Sequence, residues 1–156
     1  MRERNLQGEN KLKIFFDLEI EEDGWPPIGV EILNGTILSE NKMRVENTPF
    51  FIWEIAAGDI VQVAPREKEN EFSFQGLEET SGNTSISVIV RNHSLIDDIR
   101  KKMESFKCYC EFGEIGHTKM LALSIPKEVD YSPIRLELDA LEAKGDISYA
   151  ELCIDN

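Results

Sequence analysis

The sequence predicts an α+β chain: a small, strongly curved, barrel-like β-sheet over residues 11–79, then a ferredoxin-like β-α-β-β-α-β half over residues 84–155, packed together as one unit. Three observations predict it. Residues 11–79 hold a succession of short runs with period-two alternation, punctuated by Gly, Pro and Asn. Residues 94–107 and 130–145 carry apolar stripes at helical spacing, each flanked by strand-like runs. Finally, 156 residues with 41% hydrophobic side chains can build one core of ordinary size or two small adjoining ones.

The elements follow in order. "KLKIFFDLEIEE" alternates cleanly, with Leu12, Ile14, Phe16, Leu18 and Ile20 on one side, which is the pattern of a half-buried strand. "DGWPPIG" breaks that pattern and leaves Trp25 on a loop stiffened by Pro26 and Pro27. "VEILNGTIL" reads as a hairpin about Asn34-Gly35, a strong short turn signal. "KMRVEN" is a short strand. Thr48 and Pro49 are placed to start a single helical turn through Phe50, Phe51, Ile52, Trp53 and Ile55, which Gly58 ends. "DIVQVAP" and "EFSFQGLEE" are two more strands, joined by the charged loop "REKENE". So many short strands hide their edges best by curling into a barrel.

The second half has another rhythm. "SISVIV" puts Ile86, Val88 and Val90 on one face. In "SLIDDIRKKMESFK" the helical stripe is Leu95, Ile99, Met103 and Phe106, with Ser94 and Asp97 as a capping box. "CYCEF" and "KMLALSI" are strands. In the second helix Tyr131, Ile134, Leu138 and Leu141 share a face, Pro133 lies in the first turn and Gly145 closes it. "ISYAELCI" is the last strand. In a split βαβ plan the first and third strands are central and the second and fourth lie at opposite edges.

Composition excludes several classes of function. The net charge is −13, and residues 1–80 carry 17 acids against 8 bases. Such a chain repels phosphate backbones and anionic lipid, so neither nucleic acid nor membrane is an expected partner. The acidity suits solubility, and also a basic protein partner. No apolar run approaches the roughly 20 residues of a bilayer span. "MRERNLQGENK" lacks the apolar stretch of a secretory signal, so the expected compartment is the cytoplasm. Three cysteines, Cys108, Cys110 and Cys153, are an odd count that suits reduced thiols. C-x-C with only His93 and His117 to complete it is a poor zinc pattern, so no metal and no cofactor is expected.

Candidate sites are few. No phosphate-binding glycine loop, nucleophile elbow or metalloprotease helix is present, Ser81, Thr84 and Ser85 have no obvious base nearby, and a Cys110–His117 pair across the edge hairpin is outweighed by an ordinary edge thiol and a loop histidine, so no catalytic residue is expected. The aromatic run "NTPFFIWE" reads first as a plug for the open end of the barrel. Its second reading is an interface anchor built from Phe51 and Trp53, with Trp25 as another. The loop holding Glu67, Glu69 and Glu71 has the densest charge and is the candidate for steering a basic partner. In "SGNTS", Ser81 and Asn83 mark either a polar junction fixing the two halves or a ligand cradle between them. Gly82 and Asn83 suit positive φ, which favours the junction.

Four stretches in register, "DGWPPIGVE", "VENTPFFIWEIAAGDIVQV", "SGNTSISVIV" and "PKEVDYSPIRLELDALEAKGDISYAEL", resemble an uncharacterised bacterial family known as domain of unknown function 4265. They span about residues 11–153. The chain departs from that pattern at "ILNGT" after Glu31, where the resemblance implies an aromatic-containing strand. The resemblance implies a compact bacterial protein and supplies no reaction. By analogy with small acidic immunity proteins, the expected function is non-enzymatic binding of a protein partner, in its sharpest form neutralisation of a basic toxin domain. The alternative is a small-ligand-binding regulatory protein with its pocket at the junction near Ser81 and Asn83.

Overall fold

In the computed structural model the described residues are 12–154, so the readings made of the first eleven residues, including the missing secretory signal, lie outside them. β1 (Leu12–Asp17) turns Ile14 and Phe16 inward, and β2 (Val30–Ser39), β3 (Lys42–Val45), β4 (Ile60–Pro65) and β5 (Glu71–Glu79) follow. The five close into a barrel in chain order. Successive strands pair antiparallel, and a parallel pairing of β1 with β5, Ile14 opposite Phe72, closes the ring. Closure leaves no free edge, which is why such short strands hold together. The barrel core is built on Ile14, Phe16, Leu33, Met43, Val61 and Val63, with Phe16 stacked on Phe74 at 4.7 Å.

Three expectations for this half are corrected. Asn34-Gly35 is no hairpin turn: β2 runs straight through it and the reversal comes at Glu40-Asn41. Gly35 is there for space, because a Cβ at that position would stand 2.7 Å from Ile14 Cδ1 and 2.8 Å from Met43 Cε. The Asn34 N–H is taken by Asn47 Oδ1 at 2.7 Å. β1 also ends at Asp17, and Ile20 is 54% exposed rather than inward. The stretch 49–55 forms no helical turn. Its amides are claimed elsewhere, since Phe50 and Phe51 both donate to the Glu31 carboxylate, at 2.7 and 2.9 Å.

The remaining strands, β6 (Thr84–Val90), β7 (Tyr109–Ile115), β8 (Thr118–Ile125) and β9 (Ile147–Cys153), form a second, antiparallel sheet in the order β7-β8-β6-β9. Helices α1 (Ile96–Ser105) and α2 (Ser132–Ala143) cover one face. Ile99 and Met103 from α1 and Ile134 and Leu138 from α2 meet Val88 and Leu121 in a core of large aliphatic side chains. Leu95, Phe106, Tyr131 and Leu141 pack around its margin. Pro133 occupies the first turn of α2, and Gly145 follows it at φ +78°. The expected capping box is absent: a 3-10 turn, His93–Leu95, precedes α1, and the Ser94 hydroxyl bonds Asn92 Oδ1.

The other face of this sheet carries the small residues Ser85, Ser87, Ala122, Ser124, Ser148 and Ala150 beside the larger Ile89, Met120 and Leu152. Small side chains let the segment between β3 and β4 approach with its backbone. Glu54 N–H donates to the Leu152 carbonyl at 2.9 Å, and Ser85 Oγ donates to the Ile55 carbonyl at 3.0 Å. The Phe50 ring lies flat on Gly113, where a Cβ would come within 2.7 Å of it. From its opposite side the same segment drives Ile52 and Ile55 into the barrel core. It therefore plugs the barrel and welds it to the sheet.

Candidate functional site

Two of the concavities among the described residues lie where barrel and sheet meet. The larger, about 670 Å³, opens between the end of β1, the loop that follows it, the plug segment and β9. Its size is that of a ligand or side-chain pocket. Trp25, Phe51 and Trp53 all line it. Trp25 meets Phe51 edge-on at 5.5 Å, and Phe51 is buried. Trp53 is 63% exposed, a large apolar side chain left facing water. Ser87, Ile89, Ser148 and Ala150, from the face of the sheet opposite the helices, are part of the lining.

Both tryptophans stand on braced backbone. In the Trp25 loop, Trp25 N–H donates to Asp23 Oδ1 at 3.0 Å, Glu21 N–H to the Trp25 carbonyl at 2.8 Å, and Leu18 N–H to the Gly29 carbonyl at 2.9 Å. The Trp53 segment is held by Glu31 on one side and by Leu152 on the other. Glu31 is only 7% exposed, and its two charge-assisted bonds do the work a helical turn would otherwise do for Phe50 and Phe51. Asp59, fully buried, plays a similar part lower down, accepting from Ala56 N–H at 2.9 Å and from Ser81 N–H at 2.8 Å.

The charged residues of the cleft are all acids: Asp17, Glu19 and Glu21. No Lys, Arg or His lines it among the described residues. Tyr149, also in the lining, hydrogen-bonds Asp139, and burial, then that bond, raises the phenol pKa above its ordinary value.

The second concavity, about 630 Å³, is an open groove at the junction, between the plug segment, the end of α1 and the start of β7. Asn83 lines it; Ser81 does not. The "SGNTS" stretch is tied into both halves. Asn83 Nδ2 donates to the Ala57 carbonyl at 2.7 Å, Asn83 Oδ1 accepts from Lys127 N–H at 3.0 Å, and Ser81 Oγ accepts from Asn83 N–H at 3.1 Å. Gly82 has φ +89°, whereas Asn83 does not adopt positive φ. Cys108 and Cys110 border the groove but are buried thiols, not an exposed edge pair. Burial pushes their pKa values up to about 11 and about 12. Cys153 ends β9 at the opposite edge of the sheet, two central strands away.

Of the residues singled out from sequence, the structure brings Trp25, Phe51 and Trp53 together and leaves Glu67, Glu69 and Glu71 elsewhere. Glu71 pairs with Lys13 near the start of β1, whereas the cleft begins at the end of that strand. Three residues at ~3.3 Å each separate Lys13 from Phe16, the first cleft residue on β1, by about 10 Å, and Glu67 and Glu69 lie in the loop that precedes Glu71. Glu31, Asn47, Asp59 and the cleft acids were not singled out. For Glu31 a signal existed: it alternates with Val30 and Ile32, so one of the two sets must face inward, and the acid's set does. Among the described residues no group of three or more His, Cys, Asp or Glu is placed to hold a metal ion, and no helix is long and apolar enough to cross a membrane.

No curated protein matches this chain. A solved structure of a hypothetical protein from Neisseria gonorrhoeae shares its fold, with a TM-score of 0.74 over 94% of this chain and 96% of that one, at 24% identity. Residues 31–149 match the family described as Domain of unknown function (DUF4265). The matched span runs from the carboxylate that pins the plug segment to the strand that walls the cleft, and the chain belongs to that family.

Proposed function

We propose that this chain is a non-enzymatic protein-binding protein whose partner docks in the aromatic cleft. Its most concrete form is an acidic immunity-type protein that neutralises a basic bacterial toxin domain in the cytoplasm. The observation that carries the reading is that both tryptophans of the chain line one preformed cleft whose charged residues are all acidic. Tryptophan anchors in a braced pocket are the usual source of interface affinity, and bracing lowers the ordering cost of binding. The net charge of −13 favours a basic partner and opposes nucleic acid and anionic membrane. We also read the second half as ferredoxin-like, supported by its β-α-β-β-α-β order and its two central strands, the first and the third.

The test is affinity capture from native lysate with the wild-type chain and with Trp53→Ala as baits. The expected partner is a basic protein held by the wild type and released by the variant. Expressed alone it should arrest growth, and co-expression of this chain should restore it. Capture that is indifferent to Trp53 would overturn the cleft as the docking site.

A second reading, a small-ligand-binding regulatory protein, rests on the junction groove of about 630 Å³. The amide of Asn83 already bonds both sides of that groove, which leaves it less free to hold a ligand.

A further inference from the structure

Some acids of the chain are held in ion pairs. Glu78 pairs with Lys42, Glu46 with Arg44, Asp97 and Glu104 with Arg100, and Glu151 with Arg135. Asp17, Glu19 and Glu21 form no ion pair among the described residues, and all three are exposed. A concave site lined by one sign of charge focuses its field on whatever enters. Here the field falls on aromatic walls, whose ring faces are negative and attract cations. The shape, the charge and the ring chemistry therefore ask for the same occupant.

Building on the docking site proposed above, we propose that the cleft takes the guanidinium of an arginine carried on an extended basic segment of the partner. A guanidinium is planar, so it stacks on an indole while its N–H groups reach carboxylates around its edge. Trp25 and Trp53 supply the rings, and Asp17, Glu19 and Glu21 supply the carboxylates. Lysine, a compact and strongly hydrated charge, satisfies the carboxylates and stacks less well. Ser87 of β6 and Ser148 and Ala150 of β9, small residues of the lining, leave room for the backbone of the segment to follow its side chain in.

Because the only two tryptophans of the chain both line the cleft, intrinsic fluorescence reports on it directly. The probes are capped hexapeptides alternating serine with arginine, with lysine, or with citrulline, the uncharged isostere of arginine, together with free L-arginine. Titrated into the full chain, the arginine peptide should give a saturable change in emission. The lysine peptide should bind less tightly, and the citrulline peptide at least about tenfold more weakly. Asp17→Asn, Glu19→Gln and Glu21→Gln combined should cost about tenfold or more and flatten the salt dependence. Polarisation of a labelled arginine peptide should show the same loss with Trp53→Ala, with unchanged urea midpoints proving the variants folded. Equal binding of the citrulline peptide, or indifference to the triple neutralisation, would overturn the proposal. So would free L-arginine binding as tightly as the peptide, which would make the cleft a small-molecule site. If arginine peptides fail while lysate capture still depends on Trp53, the docking site stands and only its occupant is wrong.

Discussion

Replacing Glu31 tests whether one buried carboxylate sets the shape of the cleft. It accepts the Phe50 and Phe51 amides at 2.7 and 2.9 Å in a site only 7% exposed. A hydrogen bond to a charged group contributes roughly 1.5–3 kcal/mol, and a buried donor left without an acceptor costs about 1–3 kcal/mol. Glu31→Ala removes both bonds and strands both donors, so it should destabilise the fold by about 3–6 kcal/mol. Glu31→Gln keeps one acceptor and turns an NH₂ toward the second amide, for a loss of about 2–4 kcal/mol. Urea unfolding followed by circular dichroism measures these losses. Tryptophan emission adds a local reading, because the Glu31-held segment carries Trp53: the native spectrum should shift in Glu31→Gln before any global unfolding. Losses within about 0.5 kcal/mol for both variants, the scale of an ordinary surface change, would refute the claim that Glu31 organises the plug.

Leu138→Ala, at a fully buried position on α2, should cost about 2–5 kcal/mol, while Leu136→Ala, 71% exposed on the same helix, should stay within about 0.5 kcal/mol; equal losses in urea melts would mean the helix face is misassigned. Gly113→Ala should cost about 1–3 kcal/mol by pushing Phe50 off the sheet, and Phe50→Leu in the same chain should return part of it. Reversing Glu67, Glu69 and Glu71 to lysine should slow association with a basic partner without changing its off-rate, because this loop lies about 10 Å or more from the cleft along β1; stopped-flow kinetics across a salt series would show an altered off-rate if it makes contact. The thiols of Cys108 and Cys110 titrate near 11 and 12 when folded and near 9 when unfolded, so their contribution is complete below about pH 9 and falls as pH rises through the folded values. Chemical denaturation between pH 8 and 11 should show that decline, and Cys108→Ser with Cys110→Ser should flatten it.

Periodicity alone carried much of this fold. The stripes of Ile99 and Met103, and of Ile134 and Leu138, are the buried faces of the two helices, and the alternating runs are the strands of a barrel. The misreadings at residues 34–35 and 49–55 share one cause: a local signal answered by a distant partner. Asn34-Gly35 looks like a turn, but Asn47 takes the Asn34 amide and the barrel interior needs the missing side chain of Gly35. Residues 49–55 look like a helical turn, but Glu31 supplies the acceptors that helix carbonyls would have offered. The cleft was half legible for the same reason. Aromatic residues near prolines and asparagines announce themselves as Trp25, Phe51 and Trp53. Acids such as Asp17 and Glu21 look like any solvated residue until the fold turns them toward those rings.

The Glu54–Leu152 bond ties a loop of the first half to the last strand. It follows that the two halves have different histories during synthesis. A growing chain can close its barrel once β5 has emerged, because the ring needs only β1 to β5. The cleft cannot exist until β9 arrives to wall it with Ser148, Ala150 and Leu152. The complete cleft is thereby reserved for a chain that has reached β9: a nascent or truncated chain that stops short of Ser148 lacks that wall. The same strand thus completes the second sheet and the cleft, and a chain without β9 keeps all five strands of its barrel but lacks one wall of the cleft.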